Sequence, residues 1–154
     1  LSSSQKGLAF LPLSFFVVIG SFLGGRLQEK WDRRKFLIAT GSANVLAILL
    51  YVFFSSFPLP LILASIALFG LCFGLSLPVQ TTLLATVFPK NRATAMGGYN
   101  FARYLGMAAG PLFGAVLFKL GGHAEFLFAA ATFAAVVGFA WQQFRREWKP
   151  RKTA

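Results

Sequence analysis

No charged residue occurs between Lys35 and Lys90. The run is strongly apolar and too long for one crossing of a bilayer, whose hydrocarbon core of ~30 Å takes about 20 helical residues. One segment interrupts it: Ser55-Ser56-Phe57-Pro58-Leu59-Pro60. Its prolines remove backbone donors and clash with the preceding turn. The run therefore predicts two spanning helices, near 36–55 and 60–87. The same reasoning gives a span near 7–25, one near 93–118 after the loop 88–92, and one near 126–144 after the turn 119–125. A basic tail, 145–154, contains Pro150 and is expected to fray.

The expected fold class is thus an all-α membrane protein with five transmembrane helices. Composition agrees: 56% of the 154 residues are hydrophobic and only 12% charged, against about 25% charged in soluble domains. Strands are a poor alternative, because lipid leaves open sheet edges unpaired and a barrel needs alternating polarity that is absent. The net charge of +11 does not imply a nucleic-acid partner, since the cations cluster between apolar runs instead of striping one face. The partner implied is the lipid bilayer. With one Cys (Cys72, read as a buried structural thiol), one His and no phosphate loop or paired acids, the chain predicts no enzyme, no metal site and no cofactor. It begins at Leu1 without Met or a signal-peptide n-region and reads as a piece of something longer.

The cations set the orientation. Loop 26–35 carries five Lys and Arg, loop 88–92 two and the tail five, whereas the opposite side has only Lys6 and Lys119. The positive-inside rule places the richer side, and the C-terminus, in the cytoplasm of a plasma or inner cell membrane. Within loop 26–35, Glu29 and Asp32 are embedded in Arg26, Lys30, Arg33, Arg34 and Lys35. The two acids either pair with these cations or sit against a helix N-terminus, which favours negative charge by roughly 0.3–1 kcal/mol.

The order of these residues goes further. Gly25-x-Leu27-x-Glu29-Lys30-x-x-Arg33-Arg34-Lys35 resembles the signature loop of the major facilitator superfamily, with Glu29 for the usual Asp and Asp32 for the usual Gly. In that family the loop follows the second span and recurs after the eighth. Four spans follow it here, so the resemblance makes the chain spans eight to twelve, a partial C-terminal half of the bundle. It further implies that Glu29 helps latch two six-helix halves on the cytoplasmic side.

The fourth span carries Gly97, Gly106, Gly110-Pro111 and Gly114. Gly106, Gly110 and Gly114 are four apart and line one stripe, which in lipid lets another backbone approach closely. Pro111 removes one helical hydrogen bond and should kink or soften the helix. The spacing resembles the antiporter signature of drug:proton antiporters in the same superfamily; the bland alternative is a generic packing face.

Arg103 is the one charge inside a span, near Tyr99, Asn100 and Tyr104. It either snorkels or pairs with backbone carbonyls, or it lines a cavity together with Asn100. Gln80, near the same end of the third span, lines that cavity or bonds a neighbouring helix. His123 and Glu125 read as solvated loop residues, and Trp141 and Trp148 as interfacial anchors. No span holds Asp or Glu, so a proton carrier would lie outside this chain.

The resemblance implies alternating-access transport of a small molecule, most similar to proton-coupled drug or metabolite efflux, with the missing N-terminal part of the same transporter as partner. The alternatives are a sugar or metabolite carrier of the same superfamily, and a truncated fragment that does not transport.

Overall fold

The computed structural model describes residues 3–119 and 121–147. Expectations about residues 148–154, Trp148 and Pro150 among them, lie outside the described residues. Five helices follow one another: α1 (Ser3–Leu27), α2 (Arg33–Phe54), α3 (Leu59–Val87), α4 (Arg92–Phe118) and α5 (Ala124–Glu147). No strand occurs among the described residues. Helices α2 to α5 are each long and apolar enough to cross a membrane, and in α1 the apolar stretch is Leu11–Leu27.

Local chemistry sets the helix ends. At the start of α3, Pro60 falls in the first turn, where its missing N–H would have had no partner anyway. Between α4 and α5 the backbone turns through Gly121 at φ +150°, a region that disfavours any side chain. Helix α1 starts at Ser3 against an expected 7 and α2 at Arg33 against 36, and both ends of α5 also differ from the sequence expectation. Helix α5 continues through Arg145 and Arg146, so 145–147 are helical rather than frayed; the two cations lie in its last turn, where the helix dipole favours positive charge. Glu125 is not a loop residue but stands in the first turn of α5, half-buried, where the dipole favours negative charge.

Helix α3 is the hub. It packs along α1 and α2 and touches α4 more lightly, while α5 packs on α2 and touches α4. The residues buried between helices are small or polar: Ala47, Cys72, Val79, Ala130, Thr40, Asn44, Ser65 and Ser76, with Phe36 the one large exception. Helix association in lipid relies on close packing and not on expelling water, which selects small residues at the seams. The hydroxyls of Thr40, Ser65 and Ser76 bond carbonyls three or four residues back in their own helices, so each is satisfied without crossing the seam. The large apolar side chains, such as Phe22, Leu46, Phe53 and Phe139, point outward.

The closest seam is one the sequence reading did not single out. Gly20 of α1 lies against Gly74 of α3, Gly24 of α1 against Leu75, and Gly70 of α3 against Leu13. A methyl group on Gly24 would lie 2.5 Å from the Leu75 carbonyl oxygen, one on Gly70 2.6 Å from that of Leu13, and Gly20 and Gly74 face Leu71 and Val17 in the same way. A second seam runs antiparallel between α2 and α5. It passes from the Tyr51–Phe126 ring pair, 4.7 Å between centroids, through Gly41, where a methyl would meet Val137 Cγ2 at 2.8 Å, to the Arg34 guanidinium 5.3 Å from the Phe144 ring centre.

Candidate functional site

The signature-loop residues gather at one end of the bundle. Gly25 and Leu27 belong to the last turn of α1. The chain then reverses tightly, with Lys30 N–H and Trp31 N–H both donating to the Leu27 carbonyl at 3.1 and 3.2 Å. Asp32, which stands where the signature has glycine, caps α2. Its Oδ1 accepts from the backbone N–H groups of Arg34 at 2.9 Å and Lys35 at 3.0 Å. Its φ of −60° is ordinary for any residue, so the turn does not need glycine. Of the two roles open to the loop acids, Asp32 therefore takes the one at a helix N-terminus.

Glu29 is exposed and makes no ion pair among the described residues. It borders an open hollow of about 650 Å³ between the loop and the end of α3, lined by Gln28, Arg33, Leu83, Thr86 and Val87 among others. The Gln28 Oε1 atom beside it is buried without a hydrogen-bond partner. An acceptor buried unpaired costs roughly 1–3 kcal/mol. The hollow thus offers the Glu29 carboxylate to an incoming donor.

The glycine helix behaves differently from the seams above. No residue of α4 is buried. Methyl groups on Gly97, Gly106 and Gly110 would meet nothing, and one on Gly114 would reach only Glu125 Oε2, at 3.9 Å. Among the described residues no other helix comes against Gly106 or Gly110. The helix also runs unbroken through Pro111.

Two polar contacts hold α4 and its flanks. Tyr99 O–H donates to Gln80 Oε1 at 2.7 Å, and Gln80 Nε2 donates to Ser76 Oγ at 3.3 Å. Gln80 is thus half-buried and bonded to a neighbouring helix, one of the two roles read for it. At the other end, His123 Nε2 lies 3.4 Å from Ser55 Oγ. That hydroxyl already donates to the Val52 carbonyl, so the imidazole is the donor. Asn100 and Arg103 are exposed on α4, and Arg103 pairs with no carbonyl or carboxylate among the described residues. Cys72 is buried and free, and no cluster that could hold a metal ion occurs among the described residues.

Residues 1–154 match the family model described as Major Facilitator Superfamily. A Na(+), Li(+), K(+)/H(+) antiporter of Planococcus maritimus is 31% identical over 120 residues, covering 73% of this chain and 28% of the relative. "Probable anion transporter 2, chloroplastic" of Oryza sativa subsp. japonica is 29% identical over 145 residues, or 91% of this chain and 26% of the relative. The Methylenomycin A resistance protein of Bacillus subtilis is 26% identical over 142 residues, or 90% and 28%. The chain spans about a quarter of the length of these curated relatives. No solved structure matches.

Proposed function

Because the chain belongs to the major facilitator superfamily, whose members are transporters, we propose that it forms the last five spans of a secondary transporter that exports drugs or metabolites by alternating access, coupled to protons. The observation that carries this reading is α4. It is long and apolar enough to span a membrane, yet none of it is buried, and its exposed middle presents Asn100, Arg103, Gly106 and Gly110. A spanning helix with a polar and glycine-rich face is suited to a moving protein interface or a water-filled cavity, and poorly suited to lipid. The glycine face meets the missing N-terminal part in one state, while Arg103 and Asn100 face the substrate path. Glu29 and the hollow beside Gln28 take a cationic donor from that part and latch the cytoplasmic side, with Arg33 and Arg34 framing it. Export by an antiporter is also consistent with the names of two of the relatives.

The experiment is transport by the whole protein in proteoliposomes, with and without an imposed proton gradient. Arg103→Ala should abolish or strongly slow it at unchanged expression. A wild-type rate would remove Arg103 from the substrate path. Glu29→Gln should change the rate without changing the amount of folded protein.

One observation favours a second reading, in which the cargo is an organic anion. Arg103 is the single charge within a span and it is a cation, and one relative is named an anion transporter. Arg103→Lys separates the readings. It retains the charge needed to attract an anion but loses the planar fork that binds a carboxylate in bidentate fashion.

A further inference from the structure

Toward the end of the bundle opposite the signature loop, four helices line a cavity of about 310 Å³. Its walls include Leu13 of α1, Tyr51 of α2, Ser65 and Phe69 of α3, and Phe126 and Ala129 of α5. No charged residue and no residue of α4 lines it, so it lies apart from Arg103 and Asn100. Helices α1 and α5 make no contact among the described residues, and the cavity has no wall between them. Its rings are held in place. Tyr51 and Phe126 are 4.7 Å apart between centroids, and Phe69 is backed by Phe73, stacked at 6.0 Å and 15°. Two hydroxyls line the cavity. The Ser65 O–H donates to the Leu61 and Ile62 carbonyls of its own helix and has no proton left to give. Tyr51 is half-buried, and its hydroxyl has no hydrogen-bond partner among the described residues. The cavity thus offers three aromatic rings and one donor.

We propose that this cavity binds a neutral aromatic molecule of about two rings that carries one hydrogen-bond acceptor and enters from the bilayer between α1 and α5. The size follows from comparison: an apolar cavity of ~150 Å³ lined by Leu, Ile and Phe takes one benzene, and this one is about twice as large. Neutrality follows from the lining, since a charge there would be desolvated with no counter-ion. Aromatic character follows from competition with lipid. Acyl chains are as apolar as leucine and gain little by leaving the bilayer for an apolar wall. A ring gains stacked or edge contacts with Tyr51, Phe69 and Phe126 that lipid tails do not supply, worth about 2- to 12-fold for each pair. The acceptor follows from Tyr51, because a phenol O–H in apolar surroundings is costly until it is paired. This inference requires only that the chain sits in a bilayer, and it stands whether or not the export reading does.

The test is photolabelling of the whole protein, in phosphatidylcholine nanodiscs, with benzophenone, a neutral two-ring ketone. Under near-ultraviolet light its carbonyl takes a hydrogen from an adjacent C–H and the two carbon radicals join, so digestion and mass spectrometry locate the adduct. Labelling should saturate and fall on the peptides that hold Tyr51, Phe69 and Phe126. Phenyl benzoate, a two-ring ester, should compete. Dicyclohexyl ketone, which keeps the acceptor without the aromatic rings, should compete about tenfold less well. Tyr51→Phe keeps the ring and removes the donor, and should weaken binding by roughly 2- to 12-fold. Ala129→Phe fills the cavity and should abolish the labelling, while Ala131→Phe, exposed and outside the lining, should leave it unchanged. Labelling spread evenly over the spans and unmoved by Ala129→Phe would overturn the proposal in favour of partition into lipid. Equal competition by dicyclohexyl ketone would overturn it in favour of a cavity that any apolar molecule fills. Full-strength binding by Tyr51→Phe would overturn the part assigned to the acceptor. If Ala129→Phe does not fold, the competition on the wild-type protein decides alone.

Discussion

Replacing Gly24 with alanine should loosen the α1–α3 pair. The added methyl carbon would stand 2.5 Å from the Leu75 carbonyl oxygen and 2.9 Å from its Cα, where ordinary contact is 3.4–4 Å. All the nearest atoms are backbone, so no side chain can swing aside and the helices must separate by roughly 1 Å. A gap of that size forfeits a quarter to a half of the dispersion attraction along the contact, and overpacking of this kind costs about 1–3 kcal/mol. Alanine returns up to ~1 kcal/mol through its better helix propensity. The net loss is about 1–2 kcal/mol, or a fall of roughly 2–8 °C in Tm for a chain of this size. Gly70→Ala lies on the same seam, and one separation relieves both clashes, so the double variant should lose less than the sum. Thermal unfolding of the detergent-solubilised chain, followed by tryptophan fluorescence and size exclusion, measures this. Gly106→Ala is the control: its methyl meets open space, so Tm should stay level or rise. If Gly106→Ala destabilised this chain as much as Gly24→Ala, the assignment of the two glycine stripes would be wrong.

Three further outcomes are expected. Asp32→Ala should cost about 1 kcal/mol through loss of the α2 cap, whereas Asp32→Gly, which restores the family residue, should cost only a few tenths; the same melts compare them. Tyr99→Phe removes the donor to Gln80 Oε1 and should cost about 1 kcal/mol, read as faster amide exchange in the first turns of α4. Asn44 is fully buried; its Nδ2 donates to the Thr40 carbonyl at 3.0 Å, while its Oδ1 has no partner among the described residues; Asn44→Leu trades that one hydrogen bond for removal of the unmet acceptor and should shift stability by less than about 1 kcal/mol, and a larger fall in Tm would mean that Oδ1 is bonded within the bundle.

The spans were legible because charge brackets them. Lys35 and Lys90 fence α2 and α3, and Pro58 and Pro60 divide them, so helix ends fell within a few residues of the observed ones. The ends of α5, at Glu125 and Arg145, extend beyond the apolar run because the helix dipole favours an acid in the first turn and cations in the last. The loop was legible as a sequence but not as a turn: only its geometry reveals that Asp32 replaces glycine by capping. The glycine stripes were equally visible on α1, α3 and α4. Spacing is a local property, and nothing local tells which stripe has a partner. Gly20 and Gly74 meet each other and Gly24 and Gly70 meet the facing backbone, whereas Gly106 and Gly110 meet nothing among the described residues. A cavity of about 210 Å³ between α2 and α5, lined by Arg34, Trp141 and Arg145 among others, has no sequence signal, because it arises from the antiparallel register of two helices far apart along the chain.

The attachment of α4 has a mechanical consequence. Near one end the helix is fastened by the Tyr99–Gln80 hydrogen bond, and near the other it touches α5, while residues 100–108 between them are all exposed. Such a helix acts as a strut pinned at both ends. A push on its free middle is delivered to α3 at one pin and to α5 at the other, and so to opposite faces of the bilayer. Pro111, where one backbone hydrogen bond is missing, lies close to the second pin and is the point at which that strut would bow first.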